Sequence, residues 1–153
     1  MFGASKNPPR KSMSRYTHVF DQDDATTIVD LNQSTILLRG QDNALSFLHN
    51  QGDFVIANGT NEQINLSNTK GMTIQDEAKG PFEVWFGNGP NQGVTLADFN
   101  ATKDFEIVLY NRGPASFAAD PYGGTYVSAS GTTIDVQGMN PIDVRAHTFS
   151  VHT

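Results

Sequence analysis

A chain of 153 residues is long enough for one domain with a sizeable core and too short for two comfortable ones. It has no cysteine, which excludes disulfides, thiolate metal sites and cysteine nucleophiles, and its 37% hydrophobic content suits a thin architecture with a core one layer deep. The net charge of −6 is unevenly spread: Lys6, Arg10, Lys11 and Arg15 stand in the head of the chain without an acid, and all 16 Asp and Glu follow them.

That head, with Pro8-Pro9 and several serines, is expected to form an extended basic arm over residues 1–20. It is either a solvated tail or an arm for an acidic surface, and the nearest acidic surface is the body of another copy. The arm's candidate contacts are then Lys6, Arg10, Lys11 and Arg15. Nucleic acid is excluded as a partner by the acidic remainder, which repels phosphate. No segment approaches the length that crosses a bilayer, so membrane insertion is not expected. The first residues, Met1-Phe2-Gly3-Ala4-Ser5-Lys6, lack the apolar core of a cleavable signal peptide. The protein is therefore expected either to stay in the cell or to leave it by a route needing no such signal.

After the acidic group Asp21, Asp23 and Asp24, which reads as a solvated turn or a cation holder, short apolar runs follow one another. They are Thr27–Val29, Ile36–Leu38, Leu45–Leu48, Phe54–Ile56, Ile64–Leu66, Met72–Ile74, Phe82–Phe86, Val94–Leu96 and Phe105–Leu109. Their starts lie roughly 8 to 12 residues apart, the spacing of strands separated by tight turns, and no run keeps an apolar stripe at helical spacing. Within Phe82–Phe86, alternation places Phe82, Val84 and Phe86 on one face and Glu83 and Trp85 on the other. Trp85 is then a candidate stacking platform for a glycan or a partner protein, unless another element covers it. Further on, Tyr126–Ala129 and Thr132–Val136, joined by Ser130-Gly131, predict a hairpin that covers an edge strand.

Turn formers separate the runs: Gly40-Gln41-Asp42, Asn50-Gln51-Gly52, Asn58–Asn61 and Gly87–Gly93. Asn43, Asp53 and Glu62 each stand two residues before an aliphatic. This layout over residues 34–110 resembles the RTX-type β-roll of secreted bacterial proteins, whose turns bind calcium between coils. The segments Val94–Leu109, Asp120–Gly138 and Ile142–Val151 are similar to the endings of such rolls, where a hairpin caps the coil and an apolar tail serves type I secretion. The sequence departs from the family pattern: the aspartate position reads Asn43, Asp53 and Glu62, and paired glycines are missing. What the resemblance implies is a calcium cofactor, with Asp42, Asp53, Glu62 and Asp98 as its acidic ligands. The alternative is that Asn and Gly serve turn geometry alone.

A convergent catalytic set is not found. His49 reads as a turn residue, and His147 and His152 have no chelating spacing. Ser128 and Ser130 lack a nucleophile elbow, and adjacent Asp76 and Glu77 point to opposite faces of a strand. The expected fold is all-β: a short β-solenoid or β-roll of about four coils with a C-terminal β-hairpin cap, the alternative being a β-sandwich or jelly roll. It occupies a single β domain, residues 21–153, with coils over about 27–110 and the cap over about 111–153. The expected function is a non-catalytic extracellular structural or adhesive protein that self-assembles head to tail into filaments or a surface layer. Its partner is chiefly itself, with a surface polysaccharide as a further partner. The alternatives are a virion decoration or fibre subunit and a carbohydrate-binding module.

Overall fold

The computed structural model describes residues 16–87, 89–110 and 113–152. They form a β-solenoid of about five turns. Strands alternate between two sheets, as the sequence rhythm requires once each apolar run must bury one face and the chain must turn after four to six residues. The strands are β1 (His18–Phe20), β2 (Thr26–Val29), β3 (Thr35–Leu38), β4 (Ala44–Leu48), β5 (Phe54–Ala57), β6 (Glu62–Ser67), β7 (Thr73–Asp76), β8 (Phe82–Phe86), β9 (Val94–Ala97) and β10 (Phe105–Tyr110). The cap adds β11 (Ser116–Ala119), β12 (Thr125–Ala129), β13 (Thr132–Val136), α1 (Pro141–Ala146) and β14 (Thr148–Val151).

One sheet has eight strands in the order β11-β12-β13-β9-β7-β5-β3-β1, and the other six in the order β14-β10-β8-β6-β4-β2. Every coil-to-coil pairing is parallel, with the register stepping by one coil, as in Ile36 beside Val55 beside Ile74. Parallel neighbours rule out the antiparallel sandwich or jelly roll. Inward residues of both sheets, among them Ile36, Leu38, Phe47, Val55, Ile64, Ile74, Val84, Phe86, Leu96 and Ile107, form one continuous buried core. His18–Phe20, which the sequence placed in the arm, form β1 and pair with β3.

Corners repeat the same backbone. Asp24, Asp42 and Asn61, one per coil, adopt left-handed φ of 54°, 59° and 55°, and Gln33, Gly52, Gly71 and Gly93 do so at the opposite corner. Short polar side chains and glycine tolerate that region best. In the cap, Ser130 (φ 43°) and Gly131 (φ 82°) supply the two positive φ values of a type I′ turn between β12 and β13. The expected hairpin is present, but the cap also holds α1, which the sequence reading did not foresee. Its Asn140 side chain caps Asp143 N–H at 2.9 Å, and Pro141 opens the helix.

Candidate functional site

The corners bury polar groups. At the corner leading into the six-stranded sheet, Asn43 and Glu62 are both buried, and Glu62 accepts from Asn43 N–H at 3.4 Å and from its side-chain amide at 3.5 Å. Burial raises the Glu62 carboxyl above its ordinary range, with Asp42 and Asp23 adding repulsion. At the opposite corner buried Asn50 donates to Asp53 Oδ2 at 3.1 Å, and Asp53 Oδ1 accepts Ser34 N–H at 2.9 Å. One coil further, Thr69 donates through its N–H and hydroxyl to Asn91 Oδ1 at 3.1 and 2.9 Å. Those between Asn43 and Glu62, Ser34 and Asp53, and Thr69 and Asn91 tie coil to coil 19 to 22 residues apart and satisfy backbone that the turns leave free.

The expected calcium ligands are therefore distributed. Asp42 and Glu62 share one corner and Asp53 lies at the other. Asp98 follows β9, where its carbonyl accepts the Lys103 ammonium at 2.7 Å. That ammonium also bonds the Asp76 carbonyl, over a cleft of about 440 Å³ lined by Asp76, Asp98 and Phe99. Among the described residues no three His, Asp or Glu side chains converge to hold a metal. The residues present do not fit the shell of six to eight oxygens that calcium requires. Asp21, Asp23 and Asp24 are exposed: Asp21 pairs with Arg39 at 3.3 Å, and Asp23 accepts Gln41 N–H at 3.0 Å.

The histidines do not converge either. His49 is exposed at a turn with φ of 60°, while His147 stacks on Phe105 at 4.2 Å between ring centroids. An acidic pair that the sequence did not single out joins the cap: Asp120 accepts the N–H groups of Tyr122 and Gly124 at 2.7 and 2.8 Å. The Gly124 bond holds the Asp120 carboxyl low, while burial and a hydrogen bond with Asp120 raise Asp135. The turn sequence Asp120-Pro121-Tyr122-Gly123-Gly124 is a signal for the first of these.

No protein-family model matches the chain, and no curated protein matches it.

Two surfaces remain that present interaction chemistry. On the outer face of the six-stranded sheet Glu83 and Trp85 point outward as expected, half-buried, and Trp85 Nε1 donates to Glu83 Oε1 at 2.7 Å. The indole lies 6.3 Å from the Tyr110 ring, and the same row continues in register through Val108 to Phe149. Neighbouring strands thus half-cover Trp85 and leave an outward aromatic strip. The second surface is the first coil. Among the described residues nothing pairs with the outer edge of β1 or β2. The mouth between them is a cavity of about 250 Å³ of mixed lining, apolar at Val19, Phe20, Ala25 and Leu45 and polar at Asp21, Gln22, Thr27 and Asn43. The arm residues Lys6, Arg10, Lys11 and Arg15 lie outside the described residues.

Proposed function

We propose that this protein is a non-catalytic structural or adhesive component, of the RTX β-roll kind, that acts outside the cell by associating with copies of itself end to end. The first described coil carries the reading: among the described residues nothing pairs with the outer edge of β1 or β2. An exposed sheet edge is a template for pairing with another chain, and folded proteins ordinarily blunt such edges. A solenoid is quasi-one-dimensional, so a copy added at its end repeats the contact already made between coils. The contact is heterologous and does not close, which yields a filament rather than a ring. The opposed charges of the basic head and the acidic body add attraction between neighbours. Light scattering over a concentration series tests the proposal. Mass that keeps growing past dimer and trimer is expected, and a single 16.6 kDa species at every concentration overturns it.

A second reading, adhesion to a polysaccharide, is favoured by one observation: the outward strip of Trp85, Tyr110 and Phe149 beside Glu83. Aromatic faces with a hydrogen-bonding rim suit sugar rings. A glycan array with the native chain and Trp85→Ala tests it: binding lost in the variant supports it, and no binder, or equal binding, ends it.

A further inference from the structure

The outer face of the six-stranded sheet is laid out in lines that run along the solenoid. Parallel register stacks Ser46, Asn65, Trp85, Val108 and Phe149 in one line, and Gln63, Glu83 and Glu106 in the line beside it. Alternation turns both lines outward, because the residues between them, among them Ile64, Val84 and Ile107, stand in the core. Trp85 and Phe149 lie two strands apart, roughly 10 Å at ~4.8 Å per strand, and Phe149 is 46% exposed. The bond from Trp85 Nε1 to Glu83 Oε1 leans the indole along its own strand, with a carboxylate at the edge of the ring. On the strands before it, Gln63 donates to Asn65 Oδ1 at 2.7 Å and Asn65 donates to Ser46 Oγ at 3.3 Å. Aromatic rings therefore give way along the line to a ladder of amides and a hydroxyl.

Charge on this face has one sign. The six strands contain no Lys, Arg or His. Glu83 and Glu106 are direct neighbours in register, a placement that costs stability between like charges. Among the described residues Arg39 forms its ion pair with Asp21, and neither glutamate has such a partner. His147, which follows Glu106 beyond the strand, stacks on the Phe105 ring instead.

Resting on the polysaccharide reading above, we infer that this face takes a polysaccharide whose sugars carry free amines, laid along the solenoid axis. One ring stacks on Trp85 and a later one on Phe149, while hydroxyls meet the side chains of Asn65 and Ser46. A protonated amine sits between Glu83 and Glu106. The choice of occupant follows from charge. An ammonium relieves the repulsion between the two carboxylates, a neutral sugar leaves it in place, and an acidic sugar adds to it.

Calorimetric titration of the native chain at about pH 6, where exposed glutamates are ionised, compares soluble oligomers of glucosamine, N-acetylglucosamine and galacturonate. The glucosamine oligomer is expected to bind tightest and to weaken as salt is added. Trp85→Ala is expected to abolish its binding. Glu106→Gln, at an exposed position, is expected to keep the native fold and weaken binding on the order of tenfold. Glu77→Gln removes the same charge from an exposed position after β7, in the other sheet, and is expected to bind as the native chain does. Equal losses in the two glutamine variants mean that the acidic body attracts the amine as a whole, and they overturn this inference. If a neutral or acidic oligomer binds through Trp85 more tightly than the amine, the inference also falls and the polysaccharide reading stands. If no oligomer binds, both fall.

Discussion

Asn43 stacks directly on Glu62 in the next coil, giving it two hydrogen bonds, from N–H and from the side-chain amide, inside a buried corner. The carboxyl is raised, chiefly by that burial. A raised carboxyl holds its proton in the folded chain at a pH where the unfolded chain has lost it. Its contribution to stability is full below the unfolded carboxylate pKa and is lost as pH rises through the folded value. Glu62→Gln keeps the shape without the charge. Thermal melts are expected to show the variant above the native chain at pH 7, with the gap closing as pH falls below about 4. A gap that widens in acid would contradict this.

The β12–β13 turn predicts effects of both signs. Gly131 sits at φ 82°, so Gly131→Val is expected to cost about 1–2 kcal/mol. That lowers the melting midpoint by roughly 2–4 °C per kcal/mol in a chain of this size. Ser130→Asn creates the Asn-Gly pair that type I′ turns prefer and is expected to raise it. Calorimetry of the two variants checks both.

Asn50 joins the Leu31 carbonyl to Asp53 Oδ2 inside the opposite corner. Asn50→Ala leaves the buried Asp53 oxygen and the partly buried Leu31 carbonyl without that donor and is expected to cost about 1–3 kcal/mol, read by urea denaturation with an unchanged m-value.

Much of this fold was legible. Turn residues at regular spacing, with apolar runs too short for helices, point to stacked coils, and the alternation in Phe82–Phe86 places Trp85 outward. Other parts were not. Ile36-Leu37-Leu38 and Phe54-Val55-Ile56 do not alternate, because Leu37 and Ile56 are also buried, at 8% and 5% exposure, on the outward side of the sheet. Periodicity therefore named strands there without naming faces. Six residues of α1 are too few for a helical stripe, and only Asn140-Pro141 announced its start. The acidic positions Asp42, Asp53, Glu62 and Asp98 look equivalent along the chain. Asp53 is set apart because the two corners of each coil lie on opposite sides of the core, and Asp98 because it stands coils further along the axis than Asp42 and Glu62, distinctions that spacing alone does not encode.

Trp85 is half-buried between β6 and β10, so Trp85→Ala is expected to cost about 2 kcal/mol, below the ~3–5 kcal/mol of a fully buried aromatic. A larger loss in thermal melts would place the indole in the core rather than on the outer face.

End-to-end association is tested most directly by negative-stain electron microscopy of the purified native chain at increasing concentration. The predicted result is unbranched filaments one solenoid wide, with strands running across the long axis. Isolated particles at all concentrations, or closed symmetric rings, would contradict it.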